Sequence, residues 1–275
     1  MINIQFEREA CPLCGSKNGY NKLIEKNIDD INYTIVKCNN CGFVYVQNPK
    51  DSTISDENKS KDEIEFLEPK ARHYQVANYI INFAKGKNIN QPVKILEIGA
   101  GTAPVARILM KNYPQIEYEY LGFEPSIARA ELSRNVGINV IAGFFDTSEV
   151  KSKFDIIIID NVLEHVLFPK EMINEAKKVL NNNGAILIIV PNLNDIRSKL
   201  SVKWRNKNLW IPHVHLNYFT AYHLKQLLRE NELIYKEFPI SSSQSEAIKI
   251  DLAIKSILDK VGIHLFGLYC IAQSN

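Results

Sequence analysis

Four of the five cysteines fall in two pairs, CPLCG at 11–15 and CNNCG at 38–42, with 23 residues between Cys14 and Cys38. A two-residue gap lets both thiolates of one tight turn reach a single tetrahedral Zn²⁺, so Cys11, Cys14, Cys38 and Cys41 are the expected ligands of a zinc ribbon. Gly15 and Gly42, directly after each pair, are expected to free backbone N–H groups to point at sulfur. The competing readings are four ordinary buried cysteines or two disulfides, and an intracellular setting disfavours disulfides. A closed four-thiolate centre has no open coordination position, so this zinc would fold the segment and not catalyse. Residues 1–50 carry six Lys/Arg and five acids. A Zn(Cys)₄ centre adds two negative charges, which argues against a ribbon that grips phosphates.

A second constellation starts at LEIGAGTAP, residues 96–104, where a strand turns into a helix. Gly99 and Gly101 permit a tight turn and close approach of backbone to a ligand. The third glycine of a dinucleotide fingerprint would stand at 104, and this chain has Pro104. Proline suits a first helical turn but offers no N–H to a pyrophosphate, which points away from NAD and FAD. The next strand ends in GFEPS, and a carboxylate there, Glu124, suits a ribose diol. The alternative is a surface glutamate near the start of the following helix.

LEIGAGTAP, GFEPS, FDIIIIDNVLEHV and NNNGAILIIVPN resemble, in order and spacing, the successive motifs of class I S-adenosylmethionine-dependent methyltransferases, over about residues 71–275. CPLCG…CNNCGFVYVQNP and PHVHLNYFT are similar to segments of some sugar methyltransferases. The resemblance implies that Glu97, Gly99 and Gly101 line the methionine end of the cofactor and Glu124 its ribose. It also implies that Phe144, Phe145 and Asp146 lie near adenine and that Asn161 faces the methyl group. Ala103 stands where the family often has a further glycine. The sugar C-methyltransferases with this zinc segment carry a further C-terminal domain, which these 275 residues do not include. The reading therefore favours an oxygen nucleophile over carbon.

Methyl transfer to a hydroxyl is an in-line displacement that needs an aligned nucleophile and a group to take its proton. A histidine suits that task. His165, beside Glu164 in NVLEHV, falls just past the fourth strand, as a base or as a structural histidine bonded to backbone. His213 and His215 lie in IPHVHLNYF. In an extended segment both would face one side; in a helical one they diverge. His73, His223 and His264 read as packing or surface residues. Residues 196–229 hold seven Lys/Arg and no acid. That fits an anionic substrate such as a nucleotide sugar, or a solvated lid.

The elements that must position these residues alternate. After Pro69 a helix runs to about 85, followed by strands at 93–99, 118–124, 138–143, 154–160 and 185–191 and helices at 104–111, 126–135 and 170–180. An irregular segment leads to a helix at 221–230, a strand at 233–240, a helix at 247–260 and a last strand at 264–272 containing Cys270. This alternation predicts an α/β, Rossmann-like, mostly parallel seven-stranded sheet with helices on both faces. Residues 31–38 and 42–49 read as short strands of the preceding ribbon. Domains are expected at 1–50 (ribbon), 51–70 (linker, with polar DSTISDENKSKDE) and 71–275 (methyltransferase).

With 33 Lys+Arg against 31 Asp+Glu the chain is not a general polycation. Charged residues in MINIQFEREA interrupt any apolar leader, and the apolar run 261–273 is too short to span a membrane. The expected protein is a cytoplasmic enzyme that transfers methyl from S-adenosylmethionine to a small molecule, a sugar or nucleotide-linked sugar hydroxyl. It has no membrane partner and no expected nucleic-acid partner, and its oligomeric state is left open. Alternatives are an RNA or protein methyltransferase docking through the ribbon, and a non-catalytic cofactor-binding module.

Overall fold

The computed structural model describes residues 5–50, 68–86, 91–238 and 267–274. The polar stretch 51–63, the helix expected at 247–260, and parts of the strands expected at 233–240 and 264–272 lie outside the described residues.

The chain opens on a hairpin, β1 (Tyr20–Ile28) and β2 (Ile31–Cys38), closed by Asp29 and Asp30 at φ 51° and 60°. Two left-handed residues in a two-residue loop match the twist of the flanking strands. β3 (Val44–Val46) pairs antiparallel with β2. The ribbon does not close its own sheet. Its fourth strand is Asn217–Tyr218, which pairs with β3 from far along the chain.

Then come α1 (Ala71–Gly86), β4 (Val93–Ile98), α2 (Pro104–Asn112), β5 (Tyr118–Glu124), α3 (Ile127–Asn135), β6 (Val140–Ala142), β7 (Phe154–Asp160), α4 (Pro169–Lys178) and β8 (Leu180–Val190). Two short helices, α5 (Ile196–Leu200) and α6 (Val202–Asn208), precede β9 (Asn217–Tyr218), α7 (Ala221–Glu230), β10 (Leu233–Glu237) and β11 (Leu268–Ser274). The large sheet runs β10-β11-β8-β7-β4-β5-β6. Its β4–β8 strands pair in parallel, and β11 is antiparallel to both neighbours. The expected seven-stranded, mostly parallel sheet is present.

The Ile156–Ile159 run shows why the sheet is a middle layer. Ile156 and Ile158 pack with Val76, Ile80, Val105 and Leu109 of α1 and α2, while Ile157 and Ile159 belong to a second core with Ile173, Leu224 and Leu227. Side chains alternate along a strand, so a strand covered on both faces must be apolar throughout. The second core also includes Cys11, Leu13, Cys38 and Phe43, so the ribbon knuckles share it with α4 and α7.

Several local readings differ. The residues NNNG, between the helix expected at 170–180 and the strand expected at 185–191, lie inside β8, where the pairing with β7 shifts register. β1, with Lys22, Glu25 and Lys26, lacks the apolar alternation of a half-buried strand because it is an exposed edge. Part of the segment expected to be irregular forms α5 and α6, each started by a side-chain cap, Asp195 to Arg197 N and Ser201 to Trp204 N. Cys270 is fully buried in β11, as the sequence suggests.

Candidate functional site

The two cysteine knuckles meet. Cys11 Sγ lies 3.8 Å from Cys41 Sγ and Cys14 Sγ 3.8 Å from Cys38 Sγ, and all four sulfurs are within 4.8 Å of one another. Zinc–sulfur bonds of about 2.3 Å in a tetrahedron put the sulfurs about 3.8 Å apart, so the donor set and its spacing fit zinc. None of the cysteines is disulfide-bonded. The glycines act differently from expectation. Gly15 N–H donates to Cys11 O and Gly42 N–H to Cys38 O, and both glycines take left-handed backbone, φ 67° and 76°. A backbone N–H that approaches sulfur is that of Asn40, two residues beyond Cys38, at 3.4 Å. Without a cation, burial pushes the Cys41 thiol up to about 12.

Residues outside the ribbon brace it. Arg8 Nη1–H donates to Leu167 O at 2.7 Å, Lys26 Nζ to Trp210 O at 2.7 Å, and Val46 N–H to Leu216 O at 2.9 Å. His223, read as packing or surface, is buried with Nε2 3.2 Å from Cys41 O.

The glycine loop lies at the carboxyl ends of β4 and β5. Gly99, Gly101 and Ala103 are left-handed at φ 74°, 58° and 48°, and Pro104 opens α2. A Cβ on Gly99 would stand 2.5 Å from Val162 Cγ2, so the loop has no room for a side chain there. Gly99→Ala is therefore expected to cost at least about 1–2 kcal/mol from the backbone alone, more with the clash, as measured by urea denaturation. Ala103 occupies, with a methyl group, a conformation that favours glycine.

Glu124 ends β5 buried, with Oε2 accepting from Gly101 N–H at 2.7 Å and Oε1 from Ser126 N–H at 2.9 Å. The carboxylate thus ties the glycine loop to the start of α3 and retains lone pairs for another donor. Glu97 is buried beneath the loop; burial pushes its carboxyl up to about 8, and the Tyr120 hydroxyl donates to it at 2.5 Å. After β6, Phe144 is exposed, Phe145 packs edge-on to Phe123 at 5.4 Å, and Asp146 caps the turn by accepting from Ser148 N–H at 2.8 Å. Asn161 takes left-handed backbone, φ 53°, at the end of β7.

Beyond β7 the chain brings Glu164, His165 and His215 together. Leu216 N–H and Asn217 N–H donate to Glu164 O, and the Asn217 side chain donates to Leu163 O and Val166 O at 3.0 and 2.7 Å. His165 Nδ1 lies 2.9 Å from Val214 O, and the His165 and His215 rings are 5.1 Å apart. Glu164 Oε1 is 3.7 Å from His165 Nε2. Burial pushes the Glu164 carboxyl up to about 8 and pulls His215 down to about 3. His213 is not part of this group: the segment turns at 211–215, with His215 N–H bonded to Ile211 O, and His213 is exposed toward Asp29 and Lys26 of the ribbon hairpin. Neither an extended strand nor a continuous helix describes the segment.

A family model described as a methyltransferase domain matches residues 44–234. The chain belongs to this methyltransferase-domain family. An uncharacterized protein of Methanocaldococcus jannaschii is 29% identical over 49% of this chain and 62% of its own. A methyltransferase of Strobilurus tenacellus is 36% identical over 46% of each. The chain thus spans less than two thirds of the length of these curated relatives. Among solved structures, the plantazolicin methyltransferase BpumL in complex with a desmethylPZN analog and SAH superposes with TM-score 0.53 at 19% identity, covering 76% of this chain and 87% of that one. That likeness is one of fold.

Three residues of this methyltransferase domain escaped the sequence reading. Asp160 ends β7 and receives Arg72 Nε–H at 2.7 Å, with His73 Nε2 at 3.4 Å. His73, read as packing or surface, is buried and pins the start of α1 to that strand end. A charged residue closing an isoleucine run was the available signal for Asp160. Asn217, buried in a two-residue strand, had none. The basic segment is partly spent internally: Arg197 pairs with Asp195 at 2.6 Å and lies over Trp204, and Lys225 lies over Tyr235.

Proposed function

We propose that the chain binds S-adenosylmethionine and transfers its methyl group to a hydroxyl of a small molecule. The observation that carries this reading is Glu124 clamping the left-handed Gly99–Gly101 loop at adjacent parallel strand ends, where an α/β sheet binds its ligand. In this reading Glu124 accepts from the ribose diol, and Glu97 with the loop lines the methionine end. Phe144, Phe145 and Asp146 border adenine, and Asn161 faces the methyl group. When bound, the cofactor supplies an electrophilic methyl on a sulfonium leaving group. The protein aligns the acceptor and takes charge of its proton, which falls to the Glu164–His165–His215 group beside Asn161. His213 has no role in this scheme.

The cysteines would hold one structural zinc. The resemblance of CPLCG…CNNCG and PHVHLNYFT to sugar methyltransferases supports a sugar or nucleotide-linked sugar as the acceptor. Exposed Lys199, Lys203 and Lys207 fit an anionic one. No helix among the described residues is long and apolar enough to cross a membrane.

Calorimetry with S-adenosylmethionine tests the reading, and no binding by the zinc-loaded chain would overturn it. A proton count sharpens it. Glu97, with its pKa raised to about 8, is mostly neutral at pH 7. A cationic ligand beside it favours ionisation. Binding at pH 7 is therefore expected to release a proton, seen as a dependence of the heat on buffer ionisation enthalpy. The release should fade above about pH 9, where Glu97 is already ionised. Binding without proton release would remove Glu97 from the methionine end.

A further inference from the structure

Glu164 presents an unusual problem for the fold. Its side chain is only 2% exposed, and neither carboxylate oxygen accepts a well-formed hydrogen bond from another residue among the described ones; its own backbone N–H is the one donor close by. Burying a carboxylate without partners is costly unless a cation or a donor completes it. The two neighbouring rings do not supply the donor. His165 Nδ1 is held at 2.9 Å from Val214 O, a carbonyl that can only accept, so Nδ1 carries the proton and the neutral ring turns the Nε2 lone pair toward Glu164. The buried His215 ring stands against the same group, 5.1 Å from the His165 ring. With Glu164 ionised, three acceptors converge, a carboxylate oxygen and one nitrogen of each ring, all within 4.8 Å of one another.

We propose that Glu164, His165 and His215 bind a divalent transition-metal ion at the mouth of the site. Three features converge on it. The Nδ1–H of His165 is anchored on the Val214 carbonyl, the arrangement that orients a metal-ligating imidazole. The donor set, two imidazoles and one carboxylate, suits ions of the manganese-to-zinc series and leaves coordination positions open. The spacing is close to that required: Glu164 Oε1 to His165 Nε2 is 3.7 Å, against about 3.3 Å for a tetrahedron with bonds near 2.0–2.1 Å. The half-exposed His165 side chain leaves a path for the ion. The ion is distinct from the ribbon zinc, whose four thiolates form a closed set. Its use, holding the acceptor oxygen in an open position and acidifying that hydroxyl in place of direct proton transfer to the three side chains, rests on the function proposed above; the site itself does not.

The test titrates the full chain, loaded with one equivalent of zinc so that only the four thiolates are filled, with Mn²⁺, which competes poorly for thiolates, and follows it by electron paramagnetic resonance. One Mn²⁺ per chain is expected, with nitrogen hyperfine coupling from two imidazoles. Binding should be at least tenfold weaker in Glu164→Gln and in the partly exposed His165→Gln, with melting temperatures recorded to confirm folding. Mn²⁺ left free at millimolar concentration, or folded Glu164→Gln binding as tightly as wild type, overturns the proposal. Calorimetry with S-adenosylmethionine on the same samples separates the two readings. Cofactor binding without Mn²⁺ binding removes only the metal site, and Mn²⁺ binding without cofactor binding removes only the cofactor reading.

Discussion

Removing the proposed zinc with a chelator is expected to lower the melting temperature of the whole chain by at least about 10 °C, and not merely to loosen its first 50 residues. Structural zinc contributes folding free energy directly, and for a chain of this size each 1 kcal/mol lost moves the transition by about 2–4 °C. The effect spreads because the knuckles are not a separate bead. Cys11, Leu13, Cys38 and Phe43 share one core with Phe219, Leu224 and Leu227, and Phe43 lies 5.2 Å from the Phe219 ring. The β3–β9 pairing and the Val46 N–H to Leu216 O bond then tie the ribbon to the residue beside His215. Loss of zinc should therefore also displace His215 and reduce turnover. Scanning calorimetry with and without chelator, alongside metal analysis, checks this. One zinc per chain with an unchanged transition after its removal would take the metal out of the fold's support.

Glu124→Ala is expected to weaken S-adenosylmethionine binding by at least about 100-fold, equivalent to about 2.7 kcal/mol. The carboxylate is asked to do two things. It accepts from Gly101 N–H and Ser126 N–H, and in the proposed site it also accepts from the ribose. Truncation orphans two backbone donors, at about 1–3 kcal/mol each if they stay buried, and frees the glycine loop from β5. Glu124→Gln keeps one carbonyl acceptor and should fall between the two. Calorimetry, with urea denaturation as the control for folding, measures both terms. Full cofactor affinity in a folded Glu124→Ala protein would remove Glu124 from the site.

Much of this protein is legible from local pattern. The two cysteine turns follow from the CxxC spacing, because a two-residue gap brings both sulfurs of a pair to one side of a tight turn. The strands at 118–124 and 154–160 and the helix at 221–230 match their expected limits. Continuous apolar runs and helical periodicity are local consequences of burial on two faces or one. The position of Glu124 one strand after the glycine loop follows from the order of a parallel sheet.

What only the tertiary structure decided depends on contacts between distant segments. β9 is two residues long and exists as a strand only because β3 offers it an edge. His213 and His215 look equivalent in the sequence, and the turn at 211–215 sends one toward the ribbon hairpin and the other against His165. Glu164 meets His215 across 50 intervening residues through Leu216 N–H, bonded to Glu164 O, and the Asn217 side chain. Neither bond leaves a periodic or compositional trace, since a backbone carbonyl belongs to every residue type. The sequence named the side chains able to do chemistry; long-range hydrogen bonds and a shared core chose which of them meet.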